Sequence, residues 1–333
     1  MKHFMLLLAG ICAFTSCEKI VFKKDKASKD VYTNFDYLWN EVDQKYAYFE
    51  IKQVNWDEIK IRYRAQLYAD MSDDSLFNVL GNMLKELKDD HTNLYSPFNV
   101  SVYQVDLKHP QNYDSRIVRE FYLNPGITIT GGFTHNFIAN KQVGYIRYES
   151  FMNDIKDDEL DYVLNKYADT KGLILDLRSN GGGTLTNVSK LLGRFVNEKT
   201  IVLYNRIRDG KGRNDFGDYK PFYAIPSENI KYLKPVMVLI DRGSYSATND
   251  FSLATKALAN LVLVGDTTGG GGGLPNGGQL PNGWTYRFSI SQSADLNKNN
   301  FAEEGVPADI PAQLNLQDRT HDAIIERAVL ELL

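Results

Sequence analysis

Apolar residues follow a helical spacing through the first third of the chain. Between Val31 and Leu94 they recur three and four residues apart, which is the period of one helix face. The pattern predicts three helices, over residues 35–46, 56–67 and 76–87. Asp73 or Asp74 is a candidate N-cap for the third helix. We therefore expect a small N-terminal helical domain over residues 31–97.

Beyond residue 97, strand patterns and helix patterns alternate. Strands are predicted at 127–130, 143–148, 172–177, 236–240, 261–264 and 284–290, and helices at 160–167, 185–195 and 324–332. The run from Gly172 to Leu177 is continuously apolar, which suits a strand buried on both faces. Alternation of this kind is typical of an α/β domain with a central sheet. We assign that domain to residues 98–333.

The first seventeen residues have the layout of a secretory signal, with a basic start, an apolar stretch and small residues at the end. The apolar stretch is too short to span a bilayer stably. Its end, Phe14-Thr-Ser-Cys17, resembles a bacterial lipoprotein box, in which the cysteine is lipidated and becomes the new N-terminus. We therefore expect a signal peptide over 1–16, a membrane anchor at Cys17 and a lysine-rich flexible tether over 17–30.

The alternative for this segment is a plain cleaved signal with an incidental cysteine. Cys12 and Cys17 are the only cysteines in the sequence, so the mature chain would have no pair for a disulfide.

The chain carries 38 Lys and Arg against 42 Asp and Glu, and its basic residues are scattered. This balance argues against nucleic acid as a partner.

Two glycine-rich loops each follow a predicted buried strand, at Asn180–Gly183 and Gly269–Gly273. Such loops present backbone N–H groups that bind an anion or a developing oxyanion. Neither loop contains the lysine of a phosphate-binding loop. His-Glu-x-x-His and Cys-x-x-Cys patterns are also absent from the sequence, so we expect no metal and no cofactor.

A third segment, DRGSYSATNDF at 241–251, passes from an apolar run through small and hydroxyl-bearing residues into a helical pattern. A strand that ends in a tight turn and restarts as a helix is one way to hold a serine nucleophile. Ordinary loops are also rich in serine, so this segment alone does not predict a peptidase.

Six segments together resemble the C-terminal-processing (tail-specific) peptidase family, which includes the tricorn core protease. They are DDHTNL at 89–94, VGYIRYESF at 143–151, GLILDLRSNGGG at 172–183, GSYSATNDF at 243–251, LVGDTTGGG at 263–271 and EEGVPADI at 303–310. The resemblance implies a crotonase/ClpP-like core with a central sheet, and a serine peptidase acting on unstructured peptides or unfolded proteins. Segment 96–142 is too short for the PDZ domain that the family often carries.

The resemblance also places the nucleophile on Ser246, the first serine of the Ser-Ala-Thr step. At this turn the backbone N–H of Ala247 is a candidate oxyanion donor, and the backbone N–H of Gly181 or Gly182 is the natural second one. Ser244 and Thr248 compete with Ser246, and we interpret them as turn hydroxyls that bond their own backbone.

The base follows from the branch of the family that the chain resembles. One branch uses a lysine twenty-five residues after the serine, but that position is Gly271 here. The tricorn-like branch uses the histidine of the His-Thr segment, which implies His91 as general base, oriented by Glu303 or, alternatively, Glu304. Imidazole has an unperturbed pKa near 6.5, which suits this role. Asp90 stands where the tricorn site has a serine, so we expect an extra carboxylate against the imidazole.

These features together predict a lipid-anchored serine peptidase of the bacterial cell envelope, on the periplasmic face or the outer-membrane surface. The rival interpretation is an inactive envelope protein that keeps the cleft and binds a peptide or an apolar ligand. Carbohydrate binding through the aromatic residues is a third interpretation, and no specific motif supports it. The distance between the Ser246 hydroxyl and the His91 imidazole discriminates best between the first interpretation and the others.

Overall fold

The computed structural model describes residues 27–103 and 109–333. The predicted signal peptide, the lipidation site at Cys17 and most of the predicted tether lie outside these residues. The last part of that tether is described, and it contacts the body of the protein: the Ser28 N–H donates to the Pro281 carbonyl at 2.9 Å. Among the described helices, none has the length and apolar character needed to cross a membrane.

Three helices come first in the described residues, and runs of strands separated by single helices follow. The helices are α1 Val31–Lys45, α2 Trp56–Arg64, α3 Asp73–Lys85, α4 Ser115–Ile117, α5 Asp157–Lys166, α6 Leu185–Leu192, α7 Ala247–Thr255 and α8 Ala323–Leu332, with a π-helical segment, Val118–Leu123, continuing α4. The strands are β1 Asn93–Tyr95, β2 Val100–Val102, β3 Thr128–Thr130, β4 Phe133–Ile138, β5 Val143–Tyr148, β6 Gly172–Asp176, β7 Thr200–Ile207, β8 Lys220–Ala224, β9 Val236–Ile240, β10 Leu261–Gly265, β11 Pro275–Gln279, β12 Thr285–Ser289, β13 Ser291–Ala294 and β14 Ile310–Pro311.

The three N-terminal helices form where the apolar spacing predicts them. The N-cap of α3 is Ser72, whose hydroxyl accepts from the Ser75 N–H. Asp73 and Asp74, the predicted caps, instead occupy the first turn, where their charges favour the positive end of the helix.

A seven-stranded sheet forms the centre of the fold, in the order β14-β10-β9-β6-β5-β4-β3. The strands from β14 to β5 are parallel, and β4 and β3 are antiparallel. In β6, Leu173 and Leu175 join the core cluster that includes α5, α6 and α7, whereas Ile174 joins the cluster on the opposite face with α8. Both faces of the sheet are therefore covered, and the predicted α/β fold with a central sheet is confirmed.

A smaller antiparallel sheet, in the order β11-β12-β1-β2, packs against the N-terminal helices. Its core combines Leu38 and Leu80 from those helices with Trp284 and Phe288 from the last third of the chain. The segment expected to be a separate helical domain thus includes β1 and shares its core with residues far along the chain. A third sheet, β13-β7-β8, is also antiparallel.

Candidate active site

Ser246 lies in the tight turn between β9 and α7. Its backbone has φ 58° and ψ −120°, a conformation that a residue with a side chain rarely adopts. Two hydrogen bonds hold the turn: the Ser246 N–H donates to the Gly270 carbonyl at 2.9 Å, and the Gly269 N–H donates to the Ser244 carbonyl at 2.8 Å. A strained turn between a strand and a helix projects a serine hydroxyl out of the backbone, as in a nucleophile elbow.

His91 faces this hydroxyl from the turn that precedes β1. Its Nε2 lies 3.1 Å from Ser246 Oγ, although the two residues are 155 positions apart. The backbone N–H of His91 donates to Asp89 Oδ1 at 2.8 Å. The imidazole contacts the Tyr245 ring edge to face, with centroids 5.6 Å apart. The 3.1 Å separation of His91 Nε2 and Ser246 Oγ allows proton transfer between the hydroxyl and the imidazole.

The surroundings favour the neutral imidazole. Burial lowers the pKa of His91 below its usual value, the Asp89 carboxylate opposes that change, and the Arg287 guanidinium adds to it. A neutral imidazole has a free lone pair on one ring nitrogen, so it can accept the proton of a serine hydroxyl at neutral pH.

The expected oxyanion donors differ in their availability. Within the described residues, the N–H groups of Ala247 and Gly181 donate to no acceptor. The Gly182 N–H instead donates to Asn180 Oδ1 at 3.0 Å, so it is already committed. Gly182 packs against the turn, where a Cβ would lie 2.8 Å from Ser246 Cβ. The glycine loop therefore offers Gly181 as a donor and Gly182 as a close backbone contact.

Asn180 is a residue of this site that the sequence reasoning missed. Its carbonyl accepts from the Tyr245 N–H at 3.0 Å, its Oδ1 accepts from the Thr248 hydroxyl at 2.8 Å, and its Nδ2 donates to the Tyr148 carbonyl at 2.9 Å. It thus ties the glycine loop to both sides of Ser246. The available signal in the sequence was its position, at the start of the glycine-rich loop that follows the apolar run of β6.

The two competing hydroxyls serve this framework. Thr248 donates to Asn180, and the Ser244 hydroxyl donates to the Leu177 carbonyl at 2.8 Å. Ser244 also bonds its own turn, as expected, because its hydroxyl accepts from the Asp241 N–H at 3.1 Å, whereas Thr248 reaches across to the segment that follows β6.

Glu303 lies in a different position from the one that the resemblance implies. Its Oε2 accepts from Lys52 Nζ at 2.6 Å, and Lys52 Nζ also donates to the Lys88 carbonyl at 2.7 Å. The other imidazole nitrogen, His91 Nδ1, lies 3.3 Å from Ser289 Oγ. A serine therefore stands where an orienting carboxylate was expected, and no periodic pattern in the sequence indicated it.

The other acidic candidates also have defined places. Glu304 is exposed, and its carbonyl accepts from Arg242 Nη1 at 2.9 Å. The Asp90 carbonyl accepts from Asn93 Nδ2 at 3.2 Å. The carboxylate whose charge raises the pKa of His91 is that of Asp89, which the sequence reasoning passed over in favour of its neighbour.

Two family models match the chain. Residues 142–312 match the model of peptidase family S41, and residues 28–85 match that of the tricorn protease C1 domain. The first match covers the five parallel strands of the central sheet and Ser246, and it leaves out β3 and β4. The second covers the three N-terminal helices.

Sequence relatives match part of their own length. The carboxy-terminal processing protease CtpB of Bacillus subtilis is 25% identical over 170 residues, which are 51% of this chain and 34% of that protein. The tail-specific protease of Haemophilus influenzae is 27% identical over 192 residues, covering 53% of this chain and 26% of that protein. The chain thus aligns with about a third or less of these relatives.

Solved structures match over most of the chain. A crystal structure from Parabacteroides merdae has a TM-score of 0.85 and 38% identity, covering 92% of this chain and 98% of that one. The tricorn protease has a TM-score of 0.58 at 16% identity, covering 91% of this chain and 36% of that one, and shows the fold alone. Because the family model covers more than half of the residues and contains the strained serine turn, the chain belongs to peptidase family S41.

Proposed function

We propose that this protein is a serine peptidase in which Ser246 is the nucleophile and His91 is the general base. The observation that carries the proposal is the 3.1 Å separation of His91 Nε2 and Ser246 Oγ. A serine hydroxyl is a weak nucleophile unless a neighbour accepts its proton, and the imidazole is placed to do so.

The proposed reaction has two halves. Ser246 Oγ attacks the substrate carbonyl carbon while its proton moves to His91 Nε2, and the resulting oxyanion accepts hydrogen bonds from the Ala247 and Gly181 N–H groups. The tetrahedral intermediate expels the amine, which takes the proton from His91. Water then repeats these steps on the acyl-enzyme, releasing the carboxylic acid and restoring the Ser246 hydroxyl.

The proposed substrate is an unstructured peptide or an unfolded protein. Strand β2 ends its sheet with one edge unpaired among the described strands, and its Val100 side chain is 53% exposed. Tyr103, directly after β2, lines a cavity of about 200 Å³ together with Asp89 and Tyr245, the neighbours of the catalytic pair. An extended peptide can pair with such an edge through its main chain whatever its sequence. A protein in its unfolded form should therefore be cleaved faster than the same protein in its folded form.

We also propose that the protein is anchored in the bacterial cell envelope through a lipid on Cys17. The Phe14–Cys17 box and the lysine-rich segment after it support this proposal. Growth with a radiolabelled fatty acid should label the full chain and the Cys12→Ala control, but not Cys17→Ala. Equal labelling of all three would contradict the proposal.

Labelling with a fluorophosphonate tests the peptidase proposal, because this reagent reacts with an activated serine. The wild type should be labelled and Ser246→Ala should not. Ser252→Ala is the matched control, since Ser252 lies on α7 and its hydroxyl donates to the Thr248 carbonyl away from His91. A wild type that resists labelling but still binds peptides would favour the inactive binding protein.

A further inference from the structure

The imidazole of His91 is held between two serine hydroxyls. Nε2 lies 3.1 Å from Ser246 Oγ, and Nδ1 lies 3.3 Å from Ser289 Oγ. Ser289 is fully buried at the end of β12, and its carbonyl accepts from the Ala47 N–H at 3.0 Å. The Ser289 hydroxyl that contacts His91 Nδ1 is therefore held in place, because the Ser289 backbone is itself hydrogen-bonded to Ala47.

We propose that Ser289 sets the orientation and tautomer of the His91 imidazole, that Asp89 supplies the negative charge near it, and that Glu303 does neither. This inference rests on the proposed peptidase function, in which His91 is the base. It makes Ser289 and Asp89 positioning residues, because both act through His91 and not on the substrate.

The pairing of two strands explains why Ser289 meets His91. In the antiparallel pair β1–β12, Asn93 lies opposite Arg287. His91 lies in the turn two residues before Asn93, and Ser289 ends β12 two residues after Arg287, so extending this register past the end of β1 brings the two residues opposite each other. The contact thus depends on the β1–β12 pairing and on the turn that leads into β1, in which the Thr92 N–H donates to the Asp89 carbonyl at 2.9 Å.

The hydroxyl of Ser289 can set the tautomer of the ring. When it accepts from the Nδ1–H, the proton of the neutral imidazole stays on Nδ1, and Nε2 keeps the lone pair that faces Ser246. The opposite tautomer would direct an N–H at the Ser246 hydroxyl and could not take its proton. A hydroxyl in this place therefore keeps the base competent.

A hydroxyl carries no charge, so the imidazolium formed during attack needs another stabilising group. Asp89 is buried, and its Oδ1 accepts from the backbone N–H of His91 at 2.8 Å, which fixes the carboxylate beside that residue. The charged groups that act on the ring are the Asp89 carboxylate, which raises the pKa of His91, and the Arg287 guanidinium, which lowers it. The Tyr245 ring packs against the imidazole from the nucleophile turn and is held neutral, because burial raises the pKa of its hydroxyl.

Glu303 is committed elsewhere. Its Oε2 lies 2.6 Å from Lys52 Nζ, and the Lys52 side chain is only 7% exposed. Since Lys52 also donates to the Lys88 carbonyl, the cation is fixed from two sides and compensates the Glu303 charge. Glu303 therefore has a partner other than His91.

Nitrogen NMR of the histidine rings in the full chain tests this division of roles, with His91→Gln identifying the His91 signals. Relative to the wild type, Ser289→Ala should shift the neutral ring toward the Nε2–H tautomer, and Asp89→Asn should lower the pKa of His91. Glu303→Gln should leave the tautomer unchanged and the His91 pKa within about 0.3 units. Ser291→Ala is the matched control, since the Ser291 hydroxyl accepts from the Leu274 N–H at 2.7 Å.

The NMR readout needs no turnover, so its failure is distinct from a failure of the peptidase proposal in the labelling experiment. The inference is overturned if Glu303→Gln changes the tautomer while Ser289→Ala does not, or if Asp89→Asn leaves the His91 pKa unchanged. If Asp89→Asn does not fold, the Ser289→Ala and Glu303→Gln pair still decides which side chain orients the ring. In kinetics, Ser289→Ala should lower kcat by at least about tenfold with KM nearly unchanged.

Discussion

Lys52 Nζ and Glu303 Oε2 lie 2.6 Å apart and join two segments separated by 251 positions. Lys52 follows α1 and belongs to the N-terminal helical unit, whereas Glu303 lies in the loop before β14. Both line the cavity beside Asp89 and Tyr245. The ion pair therefore connects the helical unit to the central-sheet domain at the edge of the candidate active site.

Removing one partner of this pair should cost stability unequally. Glu303→Gln leaves a nearly buried cation with only a carbonyl partner, so we expect a loss of about 2 kcal/mol in the free energy of unfolding. Lys52→Met leaves a carboxylate that is 39% exposed, so about 1 kcal/mol is expected. Urea unfolding of both single variants and the double variant measures the coupling energy. Strictly additive losses would contradict an interaction between the two side chains.

The two glycines of the oxyanion loop should respond differently to alanine. At Gly182, φ is +97° and a Cβ would lie 2.7 Å from the Tyr245 carbonyl and 2.8 Å from Ser246 Cβ. Gly182→Ala should displace Ser246 and lower kcat/KM by about 100-fold. Gly181→Ala keeps its backbone N–H and its Cβ would meet no atom within 4 Å, so it should lower kcat/KM much less. Peptide hydrolysis by the two variants checks this, and equal losses would contradict the close packing of Gly182 on Ser246.

The pH dependence of activity should reflect the buried histidine. Activity requires a neutral His91, and burial lowers the pKa of that imidazole. The acid limb of kcat/KM should therefore have its midpoint below pH 6.5, with activity retained in mildly acidic solution. A midpoint at or above pH 7 would contradict a lowered His91 pKa, and the pH profile of the wild type measures it directly.

The helices and the buried strands were accessible from the sequence because their apolar spacing is set by burial. β6 and β9 are buried at every position, and their continuous apolar runs predicted them. β11 was not accessible: its sequence, PNGGQ, has no strand propensity, and it forms as an edge strand by pairing with β12. Pairing with β12 therefore stabilises a strand that the residues of β11 would not form by themselves.

Some residues of the candidate active site were likewise predictable from the sequence, and others were not. His91 and Ser246 were named from the family resemblance, and they lie together although they are 155 positions apart in the sequence. The roles of Ser289 and Lys52 depend on the β1–β12 register and on a contact between distant segments. Neither role leaves a regular spacing of residues in the sequence, so only the structure reveals them.

Asp250 should make stability depend on pH. It lies on α7 one turn after Ser246, burial raises its pKa to about 6, and its Oδ1 has no hydrogen-bond partner among the described residues. The native state holds this proton more tightly than the unfolded state does. The stabilising effect is therefore full below about pH 4 and is lost as the pH rises to about 6.

Asp250→Asn should remove that loss, because the amide is neutral at every pH. We expect the variant to exceed the wild type by about 2 kcal/mol in the free energy of unfolding at pH 8, with a smaller difference at pH 4. Chemical denaturation at the two pH values measures this. An equal difference at both would contradict a titrating Asp250.

The most direct test of the account is the rate at which purified protein hydrolyses an unstructured peptide, measured for the wild type, Ser246→Ala and Ser252→Ala. If Ser246 is the nucleophile, kcat/KM should fall by about 10⁴-fold or more in Ser246→Ala and stay near the wild-type value in Ser252→Ala. Hydrolysis by Ser246→Ala within tenfold of the wild type would contradict the account, because a residue other than Ser246 would then attack the peptide bond.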